Sequence, residues 1–545
     1  MEDNSKKYRI YLPIIFSLVL ILGMFLGTRL TQSGGEPNRM FSIAPVAYDK
    51  IRDILNYIEN DYVDTVNTEE LREAAITEII TQLDPHSQYI AAQRFTEVKE
   101  EMQGNFEGIG VQFRMEKDTV AIIQVIPGGP SEKVGLLSGD RIVTIEKDTV
   151  AGVKMDTDDI VKQLKGKRGT KVNIGIFRRG EQDLIDFTII RDIIPTYSVD
   201  ASYMVTDSVG YVKLSKFSAT SYTEVRDALL ELKEKGMSKL IFDLRGNSGG
   251  YLGIAIHLAD EFLSQDKLIV YTKGTNRPKE MNFASKAGIF ENQKLIVLID
   301  ENSASASEII AGAVQDNDRG AIIGRRSFGK GLVQEELHFQ DGSALRLTVA
   351  RYYTPSGRCI QKSYENGIEE YYKEFYERFH NGELESEDSI KLPDSLKYYT
   401  LNGREVYGGG GITPDIFVPL DYDAEAVYYN KILNRGVLYQ FAFEYTDSHR
   451  EELKKYEVTK KVFNEFVAFA SVKGVEGDSK QIKRDQAKLE VLIKAFIGRN
   501  LYDDKAFYPI YHKIDKGIEK ALEVLDLGKD EFKKITQVKP EKHQM

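Results

Sequence analysis

A mixed α/β chain of several domains is predicted by three features. Its 545 residues exceed what one hydrophobic core organises, the apolar patterning changes period along the chain, and strand–loop–helix units recur in its middle. An uncharged apolar run near the N-terminus adds a transmembrane helix to that prediction. Composition is that of a globular protein, 42% hydrophobic and 29% charged. The net charge of −11 argues against nucleic acid as a partner, because phosphate binding needs a basic footprint.

Lys6, Lys7 and Arg9 precede nineteen uncharged, mostly apolar residues, Ile10 to Thr28, and Arg29 closes the run. That length is enough to span a bilayer as a helix, and the basic cluster ahead of it predicts a cytoplasmic N-terminus with the rest outside. No A-x-A site follows, which favours an uncleaved anchor over a removed signal peptide. The expected localisation is therefore single-pass in the inner (cytoplasmic) membrane, with the body in the periplasm. The only cysteine is Cys359, so no disulfide forms within the chain.

Residues 1–30 are thus read as N-terminus and anchor, and 31–103 as a linker and a helical region. In the latter, Ile51, Ile54, Leu55 and Ile58, and then Leu71, Ala75, Ile79 and Ile80, recur at helical spacing. Residues 104–192 change to short β-type runs, "GIGVQF", "VAIIQVI", "DRIVTI" and "VNIGIF", with one helical stretch near Asp158–Leu164. Residues 193–420 alternate strands with helices. The strand "KLIFDL" leads through "RGNSGG" to a helix at Tyr251–Leu263, and "KLIVLID" leads through "ENSASAS" to another apolar helical run. Such repeats imply parallel strands in an α/β layer. Residues 362–402, polar and rich in Tyr and Glu, read as a surface insertion. Residues 421–545 read as a helical extension, with Phe463, Phe466 and Ala470 and then Leu489, Leu492, Ile493 and Phe496 at helical spacing.

Three stretches carry candidate chemistry. In "ENSASASEIIAGAVQDN" (Glu301 to Asn317) three serines sit where a buried strand meets a helix, the edge at which open α/β sheets bind ligands. Ser305 to Glu308 also fits the capping box S-x-x-E, so pattern alone leaves nucleophile and cap equally open. A nucleophile there would have the Ala306 amide at the positive end of the helix. In "GRRSFGKGLVQ", Gly324 and Gly329-Lys330 match the front of a P-loop. Gly331 stands where its hydroxyl belongs, and "LVQEELHF" alternates like a strand where a P-loop opens a helix, which argues against an ATPase. Lys330 is then either a solvated loop lysine or one delivered into a site by a tight turn. In "DLRGNSGG" (Asp243 to Gly250) the glycines bare backbone amides to an anion, or merely supply a turn of positive φ. The seven histidines include no metal pair, and His257 reads as a packed core residue, so neither metal nor other cofactor is expected.

Together with "RYYTPSGRCIQ" and "GGGITPDIFVP", these segments resemble, in the same order, the signature of the carboxyl-terminal processing proteases, the tail-specific serine proteases of the S41 type. "LDPHSQYI" (Leu83 to Ile90) fits the N-terminal helical region of that family, and the likeness covers roughly residues 40–420. Residues 104–192 are similar to a PDZ domain, so the implied fold is a PDZ-like β domain ahead of an α/β serine protease core.

The resemblance implies Ser305 as nucleophile, Lys330 as its base and Gln334 as the residue that orients the lysine. On a strand, the spacing of four keeps Lys330 and Gln334 on one face. It further implies an oxyanion hole from the Ala306 amide and one of Gly249 or Gly250. Gly108, Ile109, Gly110 and Val111 would cradle a substrate's terminal carboxylate while the peptide adds as a strand. The family's proposed acid falls on Asp316, which three helical turns place about 16 Å from Ser305, and it is read as structural. The implied partners are proteins or peptides with free, apolar C-termini and, through the anchor, the membrane; a homo-oligomer is left open. The competing function is a non-catalytic PDZ scaffold that binds C-terminal tails.

Overall fold

The computed structural model describes residues 13, 16–24, 49–285, 287–423, 425–449 and 457–536. They divide into two units, residues 1–76 and 77–545.

In the first unit, the helix Lys50–Asp61 is capped by Asp49, whose carboxylate accepts the Arg52 N–H at 3.2 Å. The transmembrane prediction is overturned: among the described residues no helix is long and apolar enough to cross a membrane. Of the Ile10–Thr28 run only residues 13 and 16–24 are described, the rest lying outside. The assignment to a single-pass membrane location falls with the transmembrane prediction.

The second unit begins with a small β domain. Its antiparallel sheet runs Val111–Met115, Val120–Val125, Arg141–Ile145, Lys171–Phe177 and Ile185–Ile190. Alternation puts Ile122, Ile142, Val172 and Ile176 inward, where they bury Ile160 of the helix Thr157–Leu164. Val111–Met115 is an edge strand, paired among the described residues with Val120–Val125 alone.

The α/β core is a six-stranded sheet in the order Val199–Met204, Val209–Leu214, Lys239–Asp243, Lys294–Ile299, Ala321–Gly324, Ile416–Phe417. The first pair is antiparallel and the others are parallel. Its central strands are continuous apolar runs because both faces are covered. Ser221–Glu234, Leu252–Asp260 and Ala306–Asp316 pack one face, and Lys516–Asp526 from the C-terminal extension packs the other. A second, antiparallel sheet joins Leu332–His338, Ala344–Tyr353, Leu268–Lys273 and Glu280–Phe283. It also recruits Gln88–Ile90, so the "LDPHSQYI" segment, expected in a helical region, contributes a strand beside Ala344–Tyr353.

The segment expected as a surface insertion is partly core. Its helix Ile368–His380 buries Tyr371 and Arg378, and Arg378 donates to the carbonyls of Ser327 (3.0 Å) and Arg326 (2.5 Å) in the loop before Lys330. Beyond residue 421 the helices Val427–Asn434, Val437–His449, Lys460–Val472 and Ser479–Tyr502 share a separate apolar core around Phe463, Phe466, Leu489 and Ile493.

Candidate active site

The two middle strands of the parallel sheet end in the two loops that build the site. After Lys294–Ile299, Asp300 accepts the N–H groups of Gly246 (2.8 Å), Asn302 (3.1 Å) and Ser303 (3.1 Å), which lashes the serine turn to the "RGNSGG" loop. Ser303 Oγ donates to the Leu244 carbonyl and Ser307 Oγ to the Asn247 carbonyl, each at 2.9 Å. Both hydroxyls are fully buried, and both serve to join the loops.

Ser305 differs from its neighbours. It is half-buried, and its backbone stands at φ 55°, ψ −112°. An N-cap residue ordinarily has β-region dihedrals, and a side chain held at positive φ costs about 1–3 kcal/mol. The Glu308 carboxylate accepts the Ser305 N–H at 2.8 Å, as in a capping box. A residue that only capped the helix would not need this conformation. Its strain is that of a turn which presents a side chain.

Gly249 packs against this turn. A Cβ there would sit 2.8 Å from Ser305 Cβ and 3.0 Å from the Ala306 nitrogen, so only glycine fits. The Gly249 N–H donates to Asn247 Oδ1 at 2.8 Å. At Gly250, a Cβ would lie 2.2 Å from the Phe217 carbonyl oxygen. Ala306 opens the helix Ala306–Asp316, whose first amides have no partner within the helix.

Lys330 reaches the same place through two shared side chains. Glu308, fully buried, accepts the N–H groups of Lys330 (2.9 Å) and Gly329 (2.7 Å) and the Ser327 hydroxyl (2.5 Å) while it holds Ser305. Burial pushes its carboxyl up, against the four donors that pull it down. The Tyr352 hydroxyl lies 3.1 Å from the Ser305 carbonyl oxygen and 2.8 Å from that of Lys330. The glycines beside Lys330 admit neighbouring backbone: a Cβ on Gly331 would stand 2.9 Å from the Gln361 nitrogen, and one on Gly329 3.1 Å from that of Gly411.

Lys330 Nζ donates to Gln334 Oε1 at 2.9 Å, and Gln334 Nε2 donates to the His86 carbonyl at 2.6 Å. The strand starts at Leu332 and bulges between Val333 and Gln334, so simple same-face alternation does not account for the pair. The His86 carbonyl does, by fixing which end of the amide faces the lysine. His86 itself bonds Tyr371 Oη at 2.7 Å. Burial pulls the Lys330 ammonium down to about 8, with help from Arg346 and partial opposition from Asp84 and Glu308. Burial and then Lys330 lower His86 to about 4, so the imidazole is neutral beside it.

Elsewhere the sequence expectations meet a varied outcome. Asp316 is fully buried, with its carboxylate committed to Arg358 (2.7 Å) and to Ser356 Oγ (2.6 Å). Asp316→Asn should leave the chemistry of the folded enzyme intact while it lowers stability by about 3–5 kcal/mol, the cost of breaking a buried pair, as read by denaturant titration beside single-turnover cleavage. His257, expected in the core, is exposed on its helix beside Tyr222. In the β domain, Ile109 and Gly110 turn their carbonyls inward, to Ser131 Oγ (2.6 Å) and the Ile126 N–H (3.0 Å), and Gly110 stands at φ 78°. Pattern reading missed Glu308 as a hub, Tyr352 and His86; the only available signal was the acidic and aromatic residues inside the motifs themselves.

The family model described as "Peptidase family S41" matches residues 208–373, and "PDZ domain" matches 108–189. A family of unknown function, DUF8443, matches 428–503. The chain is 35% identical over 352 residues to a carboxy-terminal-processing protease of Bartonella bacilliformis, covering 63% of this chain and 80% of that protein. The chain belongs to peptidase family S41. To the carboxy-terminal processing protease CtpA of Bacillus subtilis this S41 peptidase is 34% identical over 364 residues, 67% of this chain and 73% of that one. Among solved structures it is similar to a photosystem II D1 C-terminal processing protease at 26% identity and a TM-score of 0.33, covering 57% of this chain and 89% of that one. It is also similar to the PDZ domain of a Vibrio cholerae carboxy-terminal protease in complex with peptide, at 34% identity and a TM-score of 0.16, covering 16% of this chain and 97% of that one. It is a serine peptidase of the carboxy-terminal processing kind, with a PDZ domain ahead of its S41 domain.

Proposed function

We propose that this peptidase cuts by a Ser305–Lys330 dyad through an acyl-enzyme, on polypeptides delivered by their C-termini. The observation that carries the dyad is the lysine: half-buried, lowered to about 8, and held through Gln334 to the His86 carbonyl. A neutral amine has one lone pair, and the bond to Gln334 Oε1 uses an N–H and leaves that pair for another group. Lys330 Nζ takes the Ser305 proton as Oγ attacks the scissile carbonyl carbon, and the carbonyl oxygen becomes an oxyanion. The Ala306 amide and one from the Gly249–Gly250 pair would receive it. The proton then passes from Lys330 to the leaving nitrogen as the C–N bond breaks. Water, deprotonated by Lys330, hydrolyses the Ser305 ester.

Tail recognition is assigned to Gly108–Val111, with the peptide adding to the free edge of Val111–Met115. A free α-carboxylate therefore matters. Peptides with an apolar, free C-terminus should be cleaved about 10- to 100-fold more efficiently than their amidated forms, the worth of a charge-assisted hydrogen bond of about 1.5–3 kcal/mol. Cleavage followed by mass spectrometry checks this, and equal rates for the two series would reject the assignment.

A further inference from the structure

The C-terminal extension meets the site's machinery at Arg245. Arg245 opens the "RGNSGG" loop, four residues before Gly249. Its guanidinium donates to Asp243 at the end of its own strand (Nη2 to Oδ2, 2.6 Å) and, in a bidentate pair, to Asp515 (Nη1 to Oδ1, 3.0 Å; Nη2 to Oδ2, 2.9 Å). Asp515 is the N-cap of the helix Lys516–Asp526, where it also accepts the Gly517 N–H at 2.8 Å. The guanidinium lies so close over this turn that a Cβ on Gly517 would stand 2.8 Å from Nη1. Burial alone would raise the Asp243 carboxyl, yet Arg245 and Lys213 hold it well below the usual carboxylate range. The Lys213 ammonium also donates to the Arg245 carbonyl. Arg245 is thus gripped by side chain and backbone at the root of the loop that packs on Ser305.

We propose that Asp515 is a positioning residue of the active site: through its bidentate bond to Arg245, the C-terminal extension sets the loop from which one amide of the Gly249–Gly250 pair is offered to the oxyanion. A planar two-point bond fixes the direction of the guanidinium as well as its distance. From Arg245 the constraint runs along five residues of chain, with Gly246 held by Asp300 (2.8 Å) and the Asn247 carbonyl by the Ala304 N–H (3.0 Å). The same helix makes a second ion pair with the core at its other end, Asp526 to Lys239 at 2.9 Å, at the start of the strand and away from the loop. That pair supplies the control.

The inference rests on the dyad reading above, and the test separates the two. Ser is as good an N-cap as Asp but is too short to pair with the guanidinium, so Asp515→Ser keeps the helix and removes the link. The full chain is assayed for peptide cleavage and for the burst of p-nitrophenolate released as p-nitrophenyl acetate acylates Ser305. Asp515→Ser should lower kcat about 10- to 100-fold with KM within about twofold, less than the roughly 10²–10³ lost with an oxyanion donor itself, and should slow the burst by the same factor. Asp515→Asn, which keeps one acceptor for Arg245, should fall between it and the parent, and Asp526→Ala should match the parent in both assays. A wild-type burst rate in Asp515→Ser, or an Asp526→Ala protein slowed as much, would overturn the inference. A parent protein whose burst equals that of Ser305→Ala would instead reject the dyad.

Discussion

Ser305→Ala should lose about 10⁴- to 10⁶-fold in kcat, as removal of a nucleophile does elsewhere, with the fold retained. If the hydroxyl were only a helix cap, the same change would cost about 0.5–2 kcal/mol of stability and leave cleavage in the folded protein untouched. The backbone separates the readings further. Alanine at φ 55° keeps a Cβ in a conformation that disfavours one, whereas glycine relieves it. Ser305→Gly should therefore be as inactive as Ser305→Ala and more stable by about 1 kcal/mol, measured by denaturant titration. Stability gained where activity is lost marks a residue strained for the reaction. Activity surviving in both variants at matched circular dichroism would sink the nucleophile.

How much of this is legible in the sequence depends on how local each signal is. The strand-to-helix turn at Ser305 is, because "KLIVLID" has the length and composition of a strand buried on both faces and "SEIIAGAV" opens with small residues and continues apolar. So are the glycine-flanked Lys330 and the strand after it. Glu308 is legible only as the fourth residue of a capping box. Its second task, holding the Lys330 loop, needs the fold to bring residues 327–330 back over the helix. The Arg245–Asp515 pair joins residues 270 apart in sequence, and no periodicity announces it. The residues after Lys362 mislead for a related reason. Tyr, Glu and Arg in a polar run suggest a solvated surface, but Arg378 is buried because two backbone carbonyls and Glu383 satisfy its guanidinium. The apolar N-terminal run misleads in the opposite direction: its hydropathy predicts a span, yet among the described residues no helix is long and apolar enough to cross a membrane.

Replacing Lys330 should have the second large effect, and it acts on stability and rate in opposite senses. A folded-state value near 8, against an ordinary 10.5, means that the fold disfavours the ammonium. At pH 7 the lysine is charged in both folded and unfolded chains, so the full penalty of burying the ammonium is present. Between about pH 8 and 10.5 the unfolded chain binds the proton and the folded one does not, so this group makes stability rise with pH across that window. The difference is worth about 3 kcal/mol. Lys330→Met, close in length and uncharged, recovers it at pH 7, less about 1–2 kcal/mol for the Gln334 oxygen left without its donor. The variant should thus be more stable at pH 7 by about 1–2 kcal/mol, with this rise in stability between pH 8 and 10.5 gone, and it should be inactive. Cleavage by the parent should climb with pH through about 8 as the neutral amine appears, roughly a quarter of it being present at pH 7.5. Lys330→Arg keeps the charge but cannot surrender a proton in this range, so it should be inactive at every pH tested. A pH–rate profile that is flat from 6 to 9, or an active arginine variant, would remove Lys330 as the base.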